Sequence, residues 1–261
     1  MTYIVQAGSG GYLGWKLLQR TSERQREIFE KDPQIQNSRD YFAQNISAVK
    51  DADDLVSNYK LLSVALRAFG LDDDLNNRAF LKKVLESDPS DSKSMVNRLT
   101  DKRYLQLNQA FGLNASDGDA AKTIDIDGIS ELYVTRSFEK NIGEQHEEIE
   151  LALNAQRELP TLVARSSSDN TKWYQITGSK ALRTIFEGAF GFPSTFANMP
   201  IDRQVEELKS GMTKMFGSAD ISALSDTKNI DKLVKTYLIR SQINSAGIST
   251  PYSTALTILR S

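Results

Sequence analysis

The residues with the clearest chemical potential stand at the start, in "VQAGSGGYLGWK", Val5 to Lys16. Gly8, Gly10, Gly11 and Gly14 fall within seven residues and a lysine follows. Such a loop can wrap a phosphate when its spacing suits a helix N-terminus. The dinucleotide pattern Gly-x-Gly-x-x-Gly fits at Gly8 and Gly10 but meets Leu13 at its third place. The triphosphate pattern Gly-Lys-Ser/Thr meets Gly14-Trp15 and Lys16-Leu17, so both key places fail. The reading is a flexible arm over residues 1–12, leading into a helix near Leu13 and binding no nucleotide.

Two further groupings are weighed. The polar stretch 114–128 holds Asp119, Asp125 and Asp127, but not the regular ligand spacing, central glycine and closing glutamate of a calcium loop. His146 is the single histidine, with Glu147 and Glu150 near it. A catalytic histidine needs an orienting acid and a nucleophile, and the pattern around His146 is that of a structural hydrogen bond. With no cysteine and one histidine, a zinc site would have only carboxylates to draw on. No catalytic, cofactor-binding or metal residue is assigned.

The elements that must position these residues read as helices. Leu17, Leu18, Thr21, Gln25 and Ile28 step at helical spacing until Asp32-Pro33 interrupts them; Ile35, Phe42, Ile46 and Val49 mark a second helix. "DADDLVSNYKLLSVALRAFG" reads as one helix ended by Gly70, and two more follow, closed by Ser87-Asp88-Pro89 and by Gly112. Phe138, Ile142, His146, Ile149 and Leu153 step by four, four, three and four, which predicts one long central helix over Ile129–Glu158, stopped by Pro160. Its glutamates, Glu139 among them, are expected to face water. Ala164–Lys180 reads as a linker or hairpin. Ile201 to Phe216 and Ile230 to Leu238 are amphipathic helices, and a tail with the apolar run Ala255–Leu259 closes the chain.

An internal likeness organises these elements. "LLSVALRAFGL" (Leu61–Leu71) resembles "ALRTIFEGAFGF" (Ala181–Phe192), and Leu99-Thr100-Asp101 resembles Leu224-Ser225-Asp226 at nearly the same offset. Each copy reads helix, glycine stop, helix, polar cap, helix. The expected fold is all-α: two pseudo-repeated three-helix units around one long central helix, with an N-terminal helical pair. The segments are 1–12 arm, 13–50 helical pair, 51–113 first unit, 114–165 loop and central helix, 166–240 linker and second unit, and 241–261 tail.

The totals narrow the partners. The 261 residues carry 25% charged and 39% hydrophobic side chains and a net charge of −2, which argues against nucleic acid. Residues 1–150 hold 19 basic against 25 acidic side chains. No apolar run suits a membrane span and no basic, apolar leader opens the chain. The expectation is a cytoplasmic protein, or one exported by a flagellar-type machine without a cleaved signal. It has protein partners, a second copy of itself among the candidates, and no membrane insertion.

"GWKLLQRT" (Gly14–Thr21), "DYFAQNI" (Asp40–Ile46), "DADDLVSNYKLLSVALRAFGL" and "NRLTDKRYLQLNQAFG" together resemble an alphaproteobacterial family known only as a domain of unknown function. The resemblance covers most of the chain after Gly14. Its genes often lie among those of the flagellar basal body and motor, which implies a part in flagellar structure or assembly. The expected function is non-enzymatic protein binding. The alternative is an enzyme or small-molecule sensor with a pocket between the two helical units, lined by Trp173, Tyr174 and Arg183.

Overall fold

A computed structural model describes residues 3–113 and 124–246, all-helical with no strand among them. The helices are α1 (Gly11–Glu30), α2 (Pro33–Asn45), α3 (Ala52–Ser57), α4 (Tyr59–Phe69), α5 (Arg78–Glu86), α6 (Met95–Arg98) and α7 (Arg103–Phe111). They continue as α8 (Ile126–Gly143), α9 (Glu147–Ala164), α10 (Asp169–Gly178), α11 (Lys180–Phe190), α12 (Ile201–Phe216) and α13 (Thr227–Ala246). The chain forms two discontinuous units, Met1–Val5 with Thr21–Asn141 and Gln6–Arg20 with Ile142–Ser261, so the division falls inside α1 and inside α8.

The first unit is organised by α4, which packs on α2, α3 and α7. Asp32 starts α2: its carboxylate accepts from the Gln34 N–H at 2.8 Å, and Pro33 follows at the position where a missing N–H costs least. The predicted helix from Asp51 to Gly70 is two helices. Asn58 breaks it, because its side-chain oxygen takes the Leu61 N–H at 3.2 Å and so offers the backbone a fresh start. Gly70 ends α4 with φ 68°, as the sequence predicts. Phe42 and Phe69 meet Phe111 edge-on, at 6.4 and 6.5 Å. Buried Asn108 donates through Nδ2 to the carbonyls of Val84, Leu85 and Ser87 at 2.7–3.1 Å, satisfying the open end of α5.

The second unit centres on α11, packed against α9, α10, α12 and α13. Ser179 caps its start through the Leu182 N–H, and Gly191 ends it with φ 75°. Buried Trp173 meets Phe186 at 5.8 Å, and the row continues through Phe190 and Phe192 to Phe196, the last two stacked at 4.8 Å. Asp101 and Asp226 each accept from the N–H two residues on, at 3.0 and 2.9 Å, at the starts of α7 and α13. Both glycine ends carry a guanidinium: Arg103 donates to the Gly70 carbonyl, and the Arg240 guanidinium lies against Gly191.

Several expectations are corrected. The single long helix over Ile129–Glu158 is two helices, α8 and α9, separated by Glu144–His146. Gly143 weakens the helix by about 1 kcal/mol relative to alanine. Glu147, Glu148 and Glu150 then fill the first turn of α9, where negative charge is stabilised. The Ile142 carbonyl accepts from both Gln145 and His146 as α8 closes. Phe138, Ile142 and Ile149 are buried as the stripe predicts, but Glu139 is buried too, 3.9 Å from Arg136. Pro160 does not stop α9; it lies inside it on the solvent side, between buried Leu159 and Leu162. The segment Ala164–Lys180, expected as a linker or hairpin, holds α10; the serine run precedes that helix, and Ser168 caps it by accepting from the Thr171 N–H at 3.2 Å. The run Ala255–Leu259 and Asp119 lie outside the described residues.

Candidate functional site

The glycine stretch belongs to a packed turn, which corrects the expectation of a loose arm. Val5 and Ala7 are buried. Tyr3 N–H donates to Asp32 at 2.7 Å and Val5 N–H to Asn141 Oδ1 at 2.7 Å. Within the second unit, Gly11 opens α1 and its N–H donates to Glu148 Oε1 at 2.8 Å. That carboxylate occupies the end of the helix where a phosphate would be drawn. His146 binds the Gly8 carbonyl through Nε2 at 3.2 Å, and its Nδ1 stands 3.7 Å from the same carboxylate. Gly8, Gly10 and Gly11 hold left-handed backbone, φ 59–73°, and the turn is also short of space. A Cβ on residue 10 would lie 2.4 Å from His146 Nδ1, and one on residue 14 would lie 2.3 Å from the Ala7 carbonyl oxygen. His146 therefore serves a turn.

The first unit holds an open cleft of about 510 Å³ at the α3–α4 break, lined by Tyr41, Asp54, Ser57, Asn58, Tyr59 and Lys60. Asn58 places the walls. Its oxygen caps α4 while its Nδ2 donates to the Tyr41 hydroxyl at 3.1 Å. The Lys60 ammonium sits 4.8 Å from the Tyr41 ring centroid, a cation–π contact. Tyr59 is 57% exposed at the rim. Asp54 accepts from the Lys50 N–H at 2.9 Å. Sequence reading as one continuous helix hides this cleft, since it closes the break that forms it; the signal was Ser57-Asn58, a pair that favours caps over helix interiors.

The other residues singled out do not converge. Asp125 accepts from the Gly128 N–H at 2.9 Å at the start of α8. No group of three or more histidine, aspartate or glutamate side chains suited to a metal occurs among the described residues. Trp173 is buried with its Nε1 on Asp169, Tyr174 donates to Asp202 at 2.6 Å on the surface, and Arg183 pairs with Glu187 at 3.1 Å. Burial pushes the Glu187 carboxyl above its ordinary pKa and Arg183 pulls it back. Asp72 is similar: burial raises it, and the Arg67 guanidinium 2.5 Å away opposes the rise. Tyr104, donating to Asp74, is raised by burial first and that carboxylate second. These are paired groups within helical packing, each with its own partner.

A family model described as "Protein of unknown function (DUF1217)" matches residues 68–230, more than half of the chain. The chain belongs to this family. The matched part of this DUF1217 protein runs from the end of α4 into α13, and the cleft residues precede it. The X-ray structure of protein AGR_C_984 from Agrobacterium tumefaciens matches with a TM-score of 0.73 at 23% identity, over 94% of this chain and 98% of that one. That likeness is one of fold. No curated protein matches the chain. No helix among the described residues is long and apolar enough to cross a membrane.

Proposed function

We propose that this protein is a non-enzymatic, helical protein-binding component, built from two related helical units, that acts in assembling or operating the bacterial flagellum. The observation that carries the binding part is the apolar surface left on the second unit. Leu13 (70% exposed) pairs with Leu17 on α1, and Ile243 (62% exposed) pairs with Ile239 on α13. Each pair is spaced i, i+4, so both side chains share one helix face. Apolar strips on a helix are surfaces that partners cover. The flagellar part rests on the family resemblance. Relatedness of the units is supported by their side-chain-capped helices, α4 and α11, each closed by a left-handed glycine under a guanidinium.

A deletion strain tests the reading, scored for swimming and for assembled filaments. Impaired swimming is expected, and complementation with Ile239→Ser/Ile243→Ser should fail to restore it while the variant protein still melts cooperatively. Normal motility with normal filaments in the deletion strain removes the flagellar role.

A further inference from the structure

We propose that the cleft at the α3–α4 break is a receptor for one arginine side chain of a protein partner. The lining includes an aromatic face already engaged by a cation: Lys60 Nζ rests 4.8 Å from the Tyr41 centroid. The ring is held by the Asn58 Nδ2 to Tyr41 hydroxyl bond at 3.1 Å, and Asn58 is itself fixed by capping α4. The face therefore costs little ordering when a ligand arrives. Lys60 is exposed and on a flexible stem, so it can swing away and leave the face to a competitor.

Charge and shape select the competitor. Asp54 lines the same cleft, is exposed, and has no ion pair among the described residues. Asp51 and Asp53 flank it at the start of α3, and among the described residues Asp53 alone of the three pairs with a cation, Lys82. A carboxylate lining one cleft with two tyrosines favours a cation that is flat, weakly hydrated and able to stack and donate at once, which describes guanidinium better than ammonium. The volume of about 510 Å³ and the open mouth suit a side chain projecting from a partner's loop. The site deepens the protein-binding reading by naming a partner chemistry, yet it stands on the cleft alone and does not depend on the flagellar link.

The test titrates the isotope-labelled full chain, followed by NMR, with blocked Gly-Arg-Gly and with the same peptide carrying lysine or citrulline, the neutral isostere of arginine. The arginine peptide should give saturable shifts confined to Tyr41, Asp54, Asn58 and Tyr59. Lysine should bind more weakly, and citrulline should produce no saturable shift. Asp54→Asn should weaken the arginine peptide severalfold. Lys60→Ala removes the resident competitor and should tighten it about twofold to fivefold, the range expected of one exposed cation–π contact. Equal shifts from arginine and citrulline, no saturable shift in wild type and Lys60→Ala, or a Lys60→Ala variant that binds more weakly would each overturn the proposal. A motility phenotype without arginine binding would retain the flagellar reading and discard this site.

Discussion

Replacing Gly14 with alanine separates a packing role for the glycine turn from a ligand-binding one. Gly14 lies inside α1, where alanine is favoured by about 1 kcal/mol on helix propensity alone. Against this, the new Cβ would stand 2.3 Å from the Ala7 carbonyl oxygen and 3.2 Å from Ile149 Cδ1. An ordinary contact needs more than 3 Å, so the Ala7 carbonyl must retreat. That carbonyl also accepts from Gly10 N–H at 3.2 Å, a bond worth about 1 kcal/mol net. Overpacking of this kind costs roughly 1–3 kcal/mol. The terms sum to a net destabilisation of about 1–3 kcal/mol, or a melting shift of roughly 2–12 °C in a chain of this size. Urea and thermal melts measure it, with ATP, GTP and NAD added in parallel while Trp15 fluorescence is followed. None of the three should protect the fold. A Gly14→Ala protein as stable as wild type would refute the packing argument.

Other substitutions probe different parts of the same reasoning. Bonds from the Tyr3 and Gln34 N–H groups hold the Asp32 carboxyl below its ordinary pKa. Its stabilising contribution is therefore full above the unfolded value of about 3.9 and is lost as pH falls through the lower folded value. Melts of wild type and Asp32→Asn should differ at neutral pH and converge on acidification, and a gap that widens in acid would contradict this. Trp173→Ala empties a fully buried site against Phe186 and should cost about 3–5 kcal/mol by urea melt; a loss under about 1 kcal/mol would show that Trp173 is not a core anchor. Asn108→Leu keeps the volume but removes the donor to the Leu85 and Ser87 carbonyls at the end of α5, while the Val84 carbonyl keeps the Ser87 N–H, and a destabilisation of about 2–4 kcal/mol is expected; a neutral result would mean that other groups satisfy the two.

The helical class and most of the helices were legible from local pattern alone. Periodic apolar residues in α2, α12 and α13 need only a local count, because one helix face must be buried whatever lies opposite it; in α1 the count finds the helix but not its face, since Leu17 and Ile28 are exposed while Trp15, Leu18 and Phe29 are buried. The stops at Gly70, Gly112 and Gly191 were equally legible, since a left-handed residue after a helix is a local demand that glycine meets best. The starts at Asp101 and Asp226 follow the same rule, as each carboxylate takes the N–H two residues on.

Tertiary structure decided whatever depends on groups distant in the chain. The stripe through Phe138, Ile142, His146 and Ile149 keeps its period across Glu144–His146, so periodicity alone runs one helix through a break; Gly143 and the glutamates after His146 carry the only local signal. The glycine turn could be read as a phosphate loop or a loose arm because Glu148 and His146, which fill it, lie far along the chain. The cleft has the same origin. Tyr41 and Lys60 stand nineteen positions apart, and only the packing of α2 on α4, with Asn58 diverting the chain between α3 and α4, brings their ring and ammonium together. Helical periodicity records which face is buried, and it is silent about what is packed against that face.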